Sequence, residues 1–314
     1  MTLPKVSIIG AGQVGSTTAH LLLLKGLADV VLIDVVEGLA AGKALDLLQA
    51  CAIEDQPATV TGTTDYAAAA GSRVVVITAG LARKPGMSRD DLLAANAKIV
   101  GPIAQQVARV APEAVVVVVT NPLDVMTSLA LQRTGFPRQR VCGMAGVLDT
   151  GRLRAFVAQR LKVPPSTVEA VVLGSHGDLM VSITESITVG REPVGRRLDD
   201  AEVERLLART RDGGAEIVAL LKTSSAYYAP GSGTAHMVQA ILRDEHRLLP
   251  ASVWLEGEYG LRDTCIGVPV ELAAQGVVRV VERPLTDDQR SALHRAARQV
   301  SEQLKQLNSL AAAS

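Results

Sequence analysis

The sequence predicts an α/β fold: a doubly wound parallel sheet in its first half, followed by a mixed α+β domain. Short β-branched runs alternate with helical stretches from the start, which is the pattern of βαβ units. The strand-like runs are apolar throughout rather than alternating, as burial on both faces demands. A chain of 314 residues also suits two domains of roughly 150 residues each.

The elements follow in order. VSIIG (6–10) reads as the first strand, a Leu-rich helix runs to about Lys25, and VVLID (30–34) precedes a helix over 42–50. VTGT (60–63), VVVITAG (74–80) and VVVVVT (115–120) continue the strands, with a helix from Asp91 to Ala108 between the last two. A helix ending near Gly135 and the run VCGMA close a six-strand unit, which puts the domain boundary near residue 145. The division is therefore 1–145 and 146–314.

The second part opens with a helix from about Thr150 to Leu161, stopped by Pro164 and Pro165, which cannot continue it. Strands are expected over 168–173 and 181–189, and helices over 199–222 and from Tyr227 to Arg243. Strands turning at Gly257, Gly260 and Gly276 fill 252–281, and an amphipathic helix occupies 286–307.

Composition excludes several functions. Lys+Arg (32) balance Asp+Glu (32), and aromatic residues are 2% of the chain. Neither a basic footprint nor a base-stacking platform for nucleic acid is therefore present. The longest apolar runs, Leu21 to Leu24 and Val115 to Val119, fall far short of the roughly 20 residues that cross a bilayer. The chain enters a β-like run within six residues, with no room for a secretory leader, so a soluble, cytoplasmic protein is expected. Cys51, Cys142 and Cys265 have no close spacing and suggest neither a disulfide framework nor a metal site.

GAGQVG comprises Gly10, Ala11, Gly12, Gln13, Val14 and Gly15, and it fits the GxGxxG turn of Rossmann dinucleotide-binding sheets. A strand precedes it, a helix follows, and Asp34 ends the next strand 19 residues after Gly15. A carboxylate there binds an adenosine ribose and repels a 2′-phosphate, and no Arg follows it directly. The cofactor expected is NAD.

A second set of residues suits hydride transfer to a keto acid, which needs a proton donor, a group to orient it, and cations for the anionic substrate. His176, in the Gly-flanked LGSHGD after an apolar strand, is the acid/base candidate, whereas His20, His236, His246 and His294 suit structural or solvated roles. Asp149 and Arg152 lie three residues apart on one helix face. One of them orients His176 while the other binds carboxylate, or they are a helix cap beside a surface Arg. The loop at 81–98 carries Arg83, Lys84 and Arg89 just beyond a strand, at the sheet edge where ligands bind. Ser88 also suits the cap of the helix that follows.

Taken in order, GAGQVG, TAGLARKPGMSRDDLL, TNPLDV, GMAGVLDTGRLR and GSHGD resemble the lactate/malate dehydrogenase family over most of the chain. SAYYAPGSGTAHMV (225–238) and YGLRDTCIGVPVEL (259–272) are similar to its malate dehydrogenases of the lactate-dehydrogenase-like branch. That resemblance implies reversible NAD-dependent oxidation of (S)-malate to oxaloacetate, a tricarboxylic acid cycle step. It implies His176 as proton acceptor, Asp149 as the holder of its tautomer, Arg152 as partner of the carboxylate beside the reacting carbon, and Arg89 as a lid residue polarising the C–O bond. By the same resemblance Asn121 contacts substrate and cofactor, while Asn96 and the backbone of Val119, Thr120 and Asn121 line the nicotinamide side. Arg83 stands where lactate enzymes of the family typically carry Gln, and a second cation fits a second carboxylate. A homo-oligomer, tetramer or dimer, is implied. The rival readings are a lactate or other 2-hydroxy-acid dehydrogenase and, more remotely, a non-catalytic NAD-binding protein.

Overall fold

The computed structural model describes residues 3–57, 59–82 and 87–312, so Arg83 and Lys84 lie outside the described residues. Strands β1 (Lys5–Ile9), β2 (Asp29–Ile33), β3 (Val60–Thr63), β4 (Val74–Ile77), β5 (Val115–Val118) and β6 (Val141–Gly143) run parallel in the order 3-2-1-4-5-6. Every residue of β4 and β5 is buried, which explains their unbroken β-branched apolar sequence. Helices α1 (Gln13–Leu24), α2 (Leu39–Ile53), α3 (Arg89–Val110) and α4 (Leu123–Thr134) connect these strands. The strand order reverses between β1 and β4, and the crevice at the carboxyl ends of such a pair is where doubly wound sheets bind ligands.

Helix α3 starts two residues before the expected Asp91, because Ser88 caps it. Asp91 N–H donates to Ser88 Oγ (3.0 Å) and Ser88 N–H donates back to Asp91 Oδ2 (3.1 Å), so two otherwise orphan donors are satisfied.

The second half contributes α5 (Gly146–Leu161), β7 (Val168–Glu169), β8 (Val172–Gly174), β9 (Met180–Ser182), β10 (Thr188–Val189) and β11 (Glu192–Pro193). These are followed by α6 (Asp200–Leu221), α7 (Tyr228–Leu242), β12 (Arg247–Glu256), β13 (Arg262–Ala273), β14 (Gly276–Val280) and α8 (Asp287–Ala312). Two expected strands are broken. The stretch 168–173 divides into β7 and β8, which join different sheets, and 181–189 divides into β9 and β10 around a 3₁₀ turn at Thr184–Ser186.

The six parallel strands do not end the sheet. β12 pairs antiparallel with β6 at Ser252 and Gly143, and the sheet continues through β13, β8 and β9. One apolar core accordingly runs from Val6 and Ile8 through to Leu272 and Val300. A smaller core beneath α5 and α6 gathers Leu153, Val157, Ile187 and Leu207.

Candidate active site

At the carboxyl end of β1 the chain turns sharply at Gly10 (φ +108°). A Cβ on Gly15 would lie 1.9 Å from the Gly10 carbonyl oxygen, so α1 packs directly on the turn. Gly12 differs: it occupies the N-cap of α1, no side chain caps that helix, and a Cβ there would meet nothing within 4 Å. Open backbone at a helix N-terminus is a receptor for a phosphate group. The carboxylate of Asp34 accepts from Ala11 N–H (2.7 Å) and from Val36 N–H (3.0 Å), which fixes it at the rim of the same turn. A bare glycine turn facing a fixed carboxylate fits the diphosphate and ribose of a dinucleotide. Gln13 is exposed beside it and Val14 is half-buried.

Further along the crevice, Thr120 is buried and donates to the Ala79 carbonyl (2.7 Å). Asn96, expected beside the nicotinamide, is wholly buried, and its amide is committed to the protein backbone. Its Oδ1 accepts from Leu81 N–H (2.7 Å), and its Nδ2 donates to the carbonyls of Leu81 (3.1 Å) and Asn121 (2.6 Å). Asn96 thus braces the backbone at Leu81 against that at Asn121.

An open cleft lies beyond, with Arg89, Asn121, Asp124, His176, Asp178 and Gln299 on its walls. His176 follows β8 after Gly174 (φ +83°), where a Cβ would come 2.6 Å from the Leu179 carbonyl oxygen. The ring Nδ1 sits 2.8 Å from Oδ2 of Asp149, and Arg152 Nη1 donates to Oδ1 of the same carboxylate (3.2 Å). Asp149 is therefore the bridge of a His–Asp–Arg chain. It is no helix cap, since α5 begins at Gly146 with Ala145 in the cap position, four residues before the predicted start near Thr150.

With the carboxylate on Nδ1, that nitrogen carries the proton and Nε2 is left free for chemistry. Burial disfavours the charged ring, but the charge and hydrogen bond of Asp149 outweigh it; Arg152 opposes and Asp124 adds. The imidazole pKa is raised above its ordinary value.

The structure brings the expected cations to the site differently. Arg152 does not line the cleft, because its side chain, 11% exposed, folds back over Asp149 and lies against Gly213 and Gly214 of α6. Its Nε–H is buried without a hydrogen-bond partner. Arg89 stands on the cleft wall at the start of α3 and pairs with Asp178. Both side chains are more than half exposed, and such a pair contributes little, so Arg89 is available to a ligand.

Sequence reasoning missed Asp124, Ser175, Asp178 and Ser252. Asp124 was visible only as an acidic residue opening a helix, and nothing local marks it as 2% exposed. Asp178 follows His176 closely enough for inspection of GSHGD to find it. Among the described residues no group of three or more His, Cys, Asp or Glu is placed to hold a metal. The three cysteines are free and buried, and burial pushes the Cys142 thiol up to about 12.

Comparison with known proteins agrees along the whole chain. Residues 4–143 match the lactate/malate dehydrogenase NAD binding domain, and residues 146–311 match the lactate/malate dehydrogenase alpha/beta C-terminal domain. The malate dehydrogenase of Trichormus variabilis is 54% identical over 307 residues, covering 98% of this chain and 95% of that protein. A Cryptosporidium parvum malate dehydrogenase structure superposes with a TM-score of 0.95 at 42% identity, over 98% of this chain and 100% of that one. A lactate dehydrogenase of the same organism, solved with lactic acid and nicotinamide adenine dinucleotide, gives 0.94 at 37% identity, over 98% and 99%.

Proposed function

The chain belongs to the lactate/malate dehydrogenase family, and from that premise we propose that it interconverts (S)-malate and oxaloacetate with NAD, as in the tricarboxylic acid cycle. The observation that carries this reading is the buried Asp149 carboxylate held between His176 and Arg152 in front of an anion-receptive cleft.

NAD, when bound, accepts the hydride that leaves C2 of malate. The residues handle the rest of the charge. His176 Nε2 takes the hydroxyl proton, and Asp149 stabilises the resulting imidazolium while fixing which nitrogen reacts. In the reverse direction the same imidazolium returns its proton to the carbonyl oxygen. Arg152, which must swing from its place against Gly213 and Gly214 to reach the cleft, is assigned to the carboxylate beside the reacting carbon. Arg89 leaves Asp178 for the substrate oxygen, bringing a charge-assisted donor to the atom where negative charge develops. Asn121 meets the substrate from the cofactor side. Gly10 to Gly15 and Asp34 hold the adenosine end, so 1–145 is the NAD-binding part and 146–314 the substrate-binding part.

Arg83, outside the described residues, is assigned to the second carboxylate. Leaving an unpaired cation in a closed site costs several kcal/mol, so pyruvate should be a poor substrate. The test follows NADH absorbance with oxaloacetate and with pyruvate, on wild type and Arg83→Gln. Wild type is expected to prefer oxaloacetate by at least about a hundredfold, and the variant to lose most of that preference. A wild-type preference for pyruvate overturns the malate reading in favour of the second one, a lactate or other 2-hydroxy-acid dehydrogenase, which the lactate dehydrogenase likeness supports.

A cytoplasmic homotetramer or dimer completes the proposal. Exposed apolar side chains on α2 (Leu45, Leu48, Ile53) and α6 (Val218, Leu220, Leu221) support association. No described helix is long and apolar enough to cross a membrane.

A further inference from the structure

Asp124 is the second residue of α4, and an acid in a first helical turn ordinarily faces solvent, where the helix dipole favours it. Here it faces inward. Its carboxylate is 2% exposed, and each oxygen accepts a short hydrogen bond: Oδ2 from Ser175 Oγ (2.6 Å) and Oδ1 from Ser252 Oγ (2.6 Å). Both distances are in the charge-assisted range for a hydroxyl on a carboxylate. Ser175 immediately precedes His176, and Ser252 lies on β12 where that strand pairs with β6. One carboxylate therefore ties together the start of α4, the loop carrying the imidazole, and the strand that extends the parallel sheet.

The turn at Gly174 makes this grip possible. Its left-handed backbone sends Ser175 toward Asp124, and the next side chain, His176, meets Asp149 of α5. The loop is held from two sides by carboxylates on different helices.

The two carboxylates differ in their charge balance. Asp149 pairs with Arg152, whereas no Lys or Arg pairs with Asp124 among the described residues. The charged or titratable groups that bear on His176 or stand in its cleft are Asp149 and Arg152 from α5, Asp124 from α4, Asp178 in its own loop and Arg89 from α3. Around Asp124 itself the titratable neighbours are His176 and the buried thiol of Cys265 on β13. Burial raises the Asp124 carboxyl above its ordinary value, and the two hydroxyls and His176 offset only part of that rise.

We propose that Asp124 is a second positioning residue for His176: by gripping Ser175 and Ser252 it seats the loop that presents the ring to Asp149. This rests on the reading of His176 as the proton-transfer group.

The test is the pH profile of kcat/KM for oxaloacetate reduction by NADH, on wild type and on Asp124→Asn, Ser175→Ala, Ser252→Ala and His176→Asn. Reduction needs the protonated ring, so the profile falls as pH rises through its pKa. In Asp124→Asn that fall should move to lower pH by roughly half a unit to one unit, as expected when the loop is loosened and the ring's contact with the Asp149 carboxylate weakens. kcat should drop about tenfold, with KM for NADH within about twofold of wild type. Ser175→Ala should move the fall in the same direction by less, and it replaces Asp124→Asn as the deciding variant if the latter does not fold. An unchanged inflection in Asp124→Asn with a lower Tm overturns the proposal and leaves Asp124 a structural residue. So does an unchanged inflection in both serine variants. A His176→Asn protein that keeps its activity removes the underlying reading instead, and this one with it.

Discussion

The two ends of the crevice are built by different rules. The dinucleotide end is made of backbone from one short stretch, Gly10 to Gly15, with a single side chain from the next strand, Asp34. The acid/base end is made of side chains drawn from α4, α5, the loop after β8 and β12, residues up to 128 positions apart in sequence. A site made of backbone leaves its mark in local sequence, because only particular residues permit that path. A site made of side chains is held together by contacts that no local window contains. The first should therefore fail through sterics and the second through charge.

The largest expected effect falls on the side-chain end. Asp149→Asn removes the carboxylate that raises the His176 pKa and fixes its tautomer, and kcat should fall by two to four orders of magnitude. NAD affinity, measured by fluorescence titration, should stay within about twofold, and a large loss of NAD binding would break the comparison. The pH dependence sharpens it. His176 has a folded pKa above its unfolded value of about 6.5, so its contribution to stability is complete below that pH. It is lost as pH climbs through the folded pKa, and Asp149→Asn should flatten that decline in Tm.

Gly15→Ala tests the backbone end. A Cβ placed 1.9 Å from the Gly10 carbonyl forces α1 off the turn, at a cost of about 1–3 kcal/mol in denaturant unfolding and a loss of NAD binding. The His176 pKa, read by NMR titration in the folded variant, should not move. The smallest effect is expected at the start of α3. Ser88→Ala removes the cap of α3 and should cost about 1 kcal/mol, with the start of that helix fraying first in hydrogen exchange.

The same contrast explains what the sequence disclosed. The parallel strands were legible because β4 and β5 are buried on both faces and are written in valine and isoleucine. The antiparallel half was less legible, since β9 and β10 are two or three residues long and the turn at Thr184–Ser186 between them carries no Gly or Pro. His176, Asp149 and Arg152 were picked out as functional chemistry, but their bridging order depends on how α5 meets the loop after β8. Asp124 gave no signal, because its burial is decided by Ser175 and Ser252, which are distant in sequence. The bonds of the Asn96 amide to Leu81 and Asn121 likewise left no local mark, because only tertiary structure brings those segments together. The recess that shelters Arg152 did leave a trace, a Gly213–Gly214 pair within a helix where glycine is otherwise unfavourable.

The ladder between β6 and β12 has a mechanical consequence. Because Gly143 and Ser252 are neighbours in one continuous sheet, the two halves have no free hinge between them, and separating them would require tearing backbone hydrogen bonds. The register between the two halves can then shift only in steps of one strand residue, about 3.3 Å, each of which would also turn every side chain of the shifted strand to the opposite face. Drift toward a longer or bulkier acid has no intermediate settings along that axis, so adaptation to new molecules is confined to the segments hung on the rim.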